Sequence, residues 1–505
     1  MSDIINKELY RLYKPLRNYL RPVSVENAFY VIWAYINNFQ FDQEIPSDIE
    51  VGSNIVEKLN PIERGIYEWE LSLLARECIA NNQGNLLSSK ENFNKWSYFS
   101  GAINKIKDFE NNAWPIIGGT NIRNELRRIS HRQFPWQLKP SSNDFLRYYK
   151  IYNSPRISEI IKSRIGMTIK QWYIIGTAII GAILSNPKMN INPNIVISNI
   201  TKKEFDVFLS FVSSDINQIK EIINRDVKFD DEYVYTFNPL EYYPLIKIGQ
   251  YYYCPVITFL VWRITSGIYF DLIKDKADEK SFGASFGFAF QDYLEEISNK
   301  VLDKEKTIVI PEKKYLVKKD KKDSVDLILL QDNAVFFVEA KAKRLQSRSK
   351  SQLVSSQAIE KDLEILAKDI AQVYATIVDY KNNLYTNLEY NKDVDVFPVI
   401  VTMEDWFLFG EDSFHLKELV IKQLENRNIQ KESVNDMPYG VCSARDFELL
   451  IQLLNNHKII DIMKKWESSE KGGHNFGQFL LTNYRGENKG IDEYFKDDFE
   501  AIYSL

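Results

Sequence analysis

Three charged residues, Asp326, Glu339 and Lys341, stand where a buried strand would not hold them without a reason. They fall in DSVDLILLQDNAVFFVEAKAK, residues 323–343, which reads as two apolar strands over 325–330 and 334–340 joined by a polar turn, Gln331-Asp332-Asn333. Side chains alternate faces along an extended chain, so Glu339 and Lys341 point the same way, and the turn carries Asp326 alongside them. Two carboxylates and an ammonium at one sheet edge have the chemistry of a divalent-metal site with a lysine beside it.

A substrate has to be drawn to such an acidic site. Lys313, Lys314, Lys318, Lys319, Lys321 and Lys322 crowd the connection before Asp326, and Lys343, Arg344, Arg348 and Lys350 follow Lys341. Bases on both sides of two acids suit phosphate contacts that align a strand without reading its sequence, with solvated loops as the alternative. A second basic stretch lies upstream in RNELRRISHRQFPW, residues 123–136. Arg123, Arg127 and Arg128 share one helix flank there, with Phe134 and Trp136 just beyond. That stretch is either a phosphate-contacting surface with stacking aromatics or a solvated helix face leading into a packed turn.

The elements that would position the three residues follow in a definite order. A helix over 282–302 precedes a strand over 307–311, the lysine-rich connection, the two hairpin strands, a long helix over 355–380 and a strand over 396–401. Helices over 414–425 and 444–465 come after. The preceding half is mainly helical, with helices expected over 62–80, 93–109, 143–161, 169–184 and 202–223, and Ser24 placed to cap the helix that follows it. Residues 238–277 change to short strands and an aromatic helix, and the charged run DLIKDKADEK at 271–280 marks a boundary. The expected organisation is a mainly helical domain over 1–237, a connector over 238–277, an α/β domain over 278–470 and a loosely patterned tail over 471–505.

Composition sets the outer bounds. A chain of 505 residues exceeds one hydrophobic core, 45% apolar with 26% charged residues is the composition of a soluble globular protein, and the element pattern makes it α+β and multidomain. A net charge of −5 excludes wholesale electrostatic binding to nucleic acid and leaves only regional contact. Cys78, Cys254 and Cys442 have no CxxC spacing and the four histidines are scattered, which argues against a disulfide framework and a zinc cluster and fits a reducing compartment. The polar N-terminus shows no signal peptide. The most apolar run, residues 172–184, falls short of the roughly 20 residues of a spanning helix, so a cytoplasmic protein without a membrane partner is expected.

The order α-β-β-β-α-β, with an acid on the second strand and E-x-K on the third, resembles the PD-(D/E)xK nuclease superfamily, the restriction-endonuclease-like fold, over roughly residues 281–401. An acid-x-lysine triplet alone carries nothing, since DEK at 278, EKK at 312, DKK at 320 and ENK at 487 also fit. Only Glu339 ends an apolar strand paired through a tight turn with a second acid-bearing strand. The resemblance implies that Asp326, Glu339 and the Ala340 carbonyl hold Mg²⁺, for which Mn²⁺ can substitute, and that Lys341 orients or deprotonates the attacking water. Many members carry a glutamate on the first helix after an FG pair. In FGFAFQDYLEEI that place is held by Gln291, and Glu295, one turn on, is a candidate for the missing oxygen. Gln372, four residues after Lys368, matches a glutamine that some families of the superfamily carry near the active site, an exposed helix face being the alternative.

The function this implies is metal-dependent endonucleolytic cleavage of nucleic acid, DNA in preference to RNA. A large helical region joined to such a nuclease resembles the build of bacterial restriction or antiphage-defence effectors, whose extra part recognises a trigger, a protein partner or a second copy. Two other readings stand beside it: a nuclease-fold subunit kept for binding nucleic acid or a partner without catalysis, and a structural ion pair in an unrelated α/β domain.

Overall fold

The computed structural model describes residues 2–56, 64–82, 92–117, 121–190, 200–273, 276–317, 319–351, 356–408, 410–469 and 475–503. The chain is mixed α+β and divides into two units: Met1–Tyr149 with Ser158–Lys274 and Ile502–Leu505, and Lys150–Ile157 with Asp275–Ala501.

The first unit is built on helices whose ends are written in the sequence. Ser24 accepts from the Asn27 N–H to start helix Val25–Phe41, and Thr168 and Thr201 form capping boxes with Gln171 and Glu204 at the starts of Ile169–Ser185 and Lys202–Val212. The helix expected over 143–161 is two, Ser142–Tyr152 and Ser158–Ile165, separated at Pro155, which cannot continue a helical hydrogen-bond ladder. The one expected over 202–223 is interrupted by a short strand, Ser213–Asp215, whose Asp215 caps the next helix, Ile216–Asp226.

Residues 238–273 are not a connector. Strands Leu245–Ile248 and Tyr251–Tyr253 form a hairpin that turns at Gly249, whose φ of 60° suits glycine. Lys188–Asn190 and Ser213–Asp215 complete a four-stranded sheet on either side of it. Asp271 is buried and ion-paired with Arg263 at 2.6 Å within the first unit, and the division between the units, after Lys274, falls inside the charged run 271–280. Among the described residues no single helix is long and apolar enough to cross a membrane.

The second unit is organised around a five-stranded sheet: β1 (Ile308–Pro311), β2 (Leu327–Gln331), β3 (Ala334–Lys341), β4 (Asp395–Thr402) and β5 (Gly440–Ser443). Its order is β5-β4-β3-β2-β1, with β1/β2 and β2/β3 antiparallel and β3/β4 and β4/β5 parallel. The strands advance in one direction from β3 to β5, and the two parallel crossovers put their helices on one face. These are the long helix Gln357–Lys381 and Glu411–Asn426, whose Leu363, Ile370, Tyr374 and Val420 share a core with Ile328, Val335, Phe337 and Ile400. The first helix, Lys276–Val301, and the C-terminal helices lie against β3 and β5 from elsewhere in the unit, Phe476 meeting Phe336 with ring centroids 6.5 Å apart.

Three expectations are corrected here. The lysine-rich connection contains an antiparallel ribbon, Tyr315–Val317 with Asp320–Lys322. The helix expected over 444–465 is two, Ala444–Leu453 and Ile459–Ser469, with Asn455 between them bonded to Asp303 N–H at 2.8 Å and to Val301 O at 2.9 Å. The tail is folded: helix Phe476–Tyr484 packs on β5 so closely that a Cβ on Gly440 would lie 2.7 Å from the Phe476 ring.

Candidate functional site

β3 outruns its antiparallel neighbour. Its last β2 partner pair is Val338 with Leu327, so Glu339, Ala340 and Lys341 are paired only with β4. Asp326, the residue before β2, fills the gap, its carboxylate accepting the Ala340 N–H at 2.7 Å. A strand residue directs its N–H and C=O to the same flank, so the Ala340 carbonyl also opens toward Asp326. Glu339 and Lys341 share a face with Val335 and Phe337, the face under the long helix. Lys341 Nζ lies 2.8 Å from Glu339 Oε1 and 3.6 Å from Asp369 Oδ1 of that helix. The hairpin thus brings Asp326, Glu339, Lys341 and Ala340 together.

Electrostatics at this edge is strained toward a cation. Burial, the nearby Glu339 charge and Glu312 push Asp326 up to about 8, against the Ala340 N–H and Lys341, which favour its ionised form. Burial also raises Glu339, while Lys341 pulls it down. Burial lowers Lys341, but Glu339 and Asp369 outweigh it and hold the ammonium well above its ordinary value. Asp369 is raised by burial against the pull of Lys341.

Two acids of this neighbourhood escaped the sequence reading. Glu312 follows β1, donates its N–H to the Asp326 carbonyl at 3.0 Å, and accepts from Gln291 Nε2 at 2.8 Å. The first-helix glutamine therefore holds a carboxylate contributed by a strand end. The antiparallel register of β1 on β2 was the signal that could have found it. Asp369 sits among Leu366, Ile370 and Val373 on the long helix, an acid on an apolar face, which is the same anomaly that exposed Asp326. Glu295 is half-buried one turn beyond Gln291, and its carbonyl accepts from the Asn299 side chain at 3.0 Å.

The bases expected to hold phosphate separate into two groups. Lys319 and Lys321 are exposed on the ribbon, whereas Lys322 is bonded to Asp379 at 2.6 Å, Lys343 to Asp362 at 2.9 Å and Arg344 to Glu404 at 3.1 Å. These three are first of all structural. Lys318 lies outside the described residues. Arg127 and Arg128 are each 2% exposed, the first bonded to Asn124 and the second ion-paired with Glu125 and set over the Tyr235 ring, so neither offers a phosphate-binding surface. Gln372 faces solvent and accepts from Arg427 at 3.0 Å; the helix side chain that meets Lys341 is Asp369.

Among the described residues no group of three or more His, Cys, Asp or Glu side chains is arranged to hold a metal ion. The donors on offer are the two carboxylates, Glu339 shared with the Lys341 ammonium, and one backbone carbonyl. All are hard oxygens, and so few suit Mg²⁺, which keeps several of its waters and binds through one or two carboxylates. The residues fit such an ion. Comparison with protein-family models, with curated proteins and with solved structures returns no match for the chain.

Proposed function

We propose that this protein is a metal-dependent nuclease of the PD-(D/E)xK type, with residues 276–402 as a restriction-endonuclease-like core, acting on DNA in preference to RNA. The observation that carries the reading is the convergence of Asp326, Glu339 and Lys341 where β3 outruns β2, with Asp326 bonded to the Ala340 N–H. Asp326, Glu339 and the Ala340 carbonyl would hold Mg²⁺ or Mn²⁺. A bound ion of this kind supplies Lewis-acid stabilisation of phosphate charge and a water of lowered pKa.

The chain's own residues do the rest. Lys341, kept as an ammonium by Glu339 and Asp369, is suited to grip the attacked phosphate and orient the incoming water rather than to remove its proton. The joining of such a core to a large helical unit supports placement among restriction or antiphage-defence effectors of the cytoplasm, the helical unit recognising a trigger or partner, an analogy of architecture.

Supercoiled, linear and single-stranded DNA, and RNA, incubated with Mg²⁺ or Mn²⁺, test this reading. Wild type should nick or linearise duplex DNA, EDTA should stop it, and Lys341→Ala should slow it by about 10²-fold or more. Cleavage by Lys341→Ala at the wild-type rate, or survival of every substrate with wild type, would sink the proposal.

A further inference from the structure

The ribbon Tyr315–Lys322 is an insertion between β1 and β2, and both of its ends emerge beside the candidate site: Glu312 on one side, Asp326 on the other. Its two faces differ. On the inner face Tyr315 is buried, its hydroxyl donating to Asp379 at 2.8 Å and its ring meeting Tyr385 with centroids 4.9 Å apart. Opposite it in the ladder, Lys322 donates to the same Asp379 at 2.6 Å, and Val317 packs on the core of the unit. Asn387 adds a bond to the Lys313 carbonyl at 2.9 Å. The base of the ribbon is therefore clamped to the long helix and the loop after it.

The outer face is made of the other ladder pair. Leu316 and Lys321 stand directly opposite each other, so they project from the same side; Leu316 is 61% exposed and Lys321 is exposed too. Lys319 is exposed at the turn, and Asp320 is an exposed acid beside it. The acids that neutralise bases elsewhere near the site, Asp379, Asp362 and Glu404, pair with Lys322, Lys343 and Arg344 and leave Lys319 and Lys321 to solvent. A rigidly based two-stranded ribbon has the width that the major groove of B-form DNA admits, and an apolar side chain flanked by lysines matches a groove floor of base edges between phosphate walls.

The geometry points to this ribbon as the element that docks in the groove of double-stranded DNA, with Leu316 against base edges and Lys319 and Lys321 against the flanking phosphates. It rests on the nuclease reading of the adjoining site and names its substrate as a duplex. The lysines supply attraction without sequence preference, and Leu316 supplies a contact that only a groove can offer.

Fluorescence anisotropy on full-length Glu339→Gln protein, which keeps substrate intact, provides the test with a labelled duplex and its isolated strand as probes. Lys319→Ala with Lys321→Ala should weaken duplex binding about tenfold and reduce the slope of log affinity against log salt by about 2. Leu316→Ala should weaken duplex binding severalfold, leave that slope unchanged and leave single-strand binding unchanged. These side chains are exposed, so an unchanged melting temperature accompanies each variant. Duplex affinity untouched by both variants, equal losses on duplex and single strand, or no duplex binding by the parent protein each overturn the inference. Metal-dependent cleavage by wild type with unaltered binding by the ribbon variants would remove the ribbon's role alone; ribbon-dependent duplex binding without cleavage would remove the nuclease reading alone.

Discussion

Asp326 carries a cost that only a cation or a proton relieves. Its carboxyl, pushed up to about 8 by burial and by Glu339, binds a proton more tightly in the folded chain than in the unfolded one. Its contribution to metal-free stability is therefore complete below about pH 4 and is lost as pH rises from about 4 to about 8. Thermal melts without divalent ions should show that decline, and Asp326→Asn should flatten it while raising stability at pH 8.5 by about 1 kcal/mol, because a buried charge is removed. Mg²⁺ should stabilise wild type more at pH 8.5 than at pH 6, and the Asn variant little at either; an equal Mg²⁺ effect on both proteins would contradict the metal assignment. Asp326, Glu339 and Lys341 were legible in the sequence because charge interrupts an apolar alternation. Glu312 and Asp369 were not, since their relevance depends on pairing register and on which helix face turns inward.

At the scale of elements, the long helix does more than cover the sheet. Asp362 is buried there and collects Lys343 at 2.9 Å, the Gln346 N–H at 3.1 Å and Ser349 Oγ at 2.7 Å, so it pins the chain just after β3. Burial opposes its ionisation, but Lys343, Ser349 and Gln346 prevail and hold it below the usual carboxylate range. That stabilisation is present above about pH 4 and is lost as pH falls through the folded value. Asp362→Ala should cost about 3 kcal/mol in urea denaturation, because an ammonium and three donors, the Gln346 amide side chain among them, lose their acceptor. A loss under about 0.5 kcal/mol would show the segment to be held by other means. The order of strands and helices around the site was legible from periodicity and turn residues. The ribbon was hidden because KKYLVKKDKK reads as charge, and its pairing is decided by the clamp on Asp379 rather than by its own alternation. The last strand, Gly440–Ser443, was hidden because four residues are too few to show a period.

At the scale of the whole molecule, the division of the chain into two units does not follow a single cut. Lys150–Ile157 belongs with the second unit, where Tyr152 meets Phe286 with ring centroids 5.8 Å apart and Lys150 pairs with Glu296 and Asp498 at 2.7 Å each. A fragment starting at residue 276 should therefore be less stable than the same region in the intact chain by about 3 kcal/mol, chiefly through the lost aromatic packing, since exposed ion pairs add little. Calorimetry of both proteins checks this; an unshifted transition would mean that the short segment is dispensable. The charged run DLIKDKADEK marked the cut after Lys274 but not the others, because composition reports local charge and says nothing of which distant segment a unit borrows.

The borrowed segment also bears on how the protein is made. A ribosome delivers Lys150–Ile157 long before β1 to β5 exist to receive it, and delivers Ile502, which belongs to the first unit, only after all of the second unit's strands. Each unit therefore waits for a segment made well apart from the rest of it before its packing is complete. The same interleaving forbids exchanging either half as an intact cassette: any recombination point between residues 158 and 274 separates a unit from a part of itself.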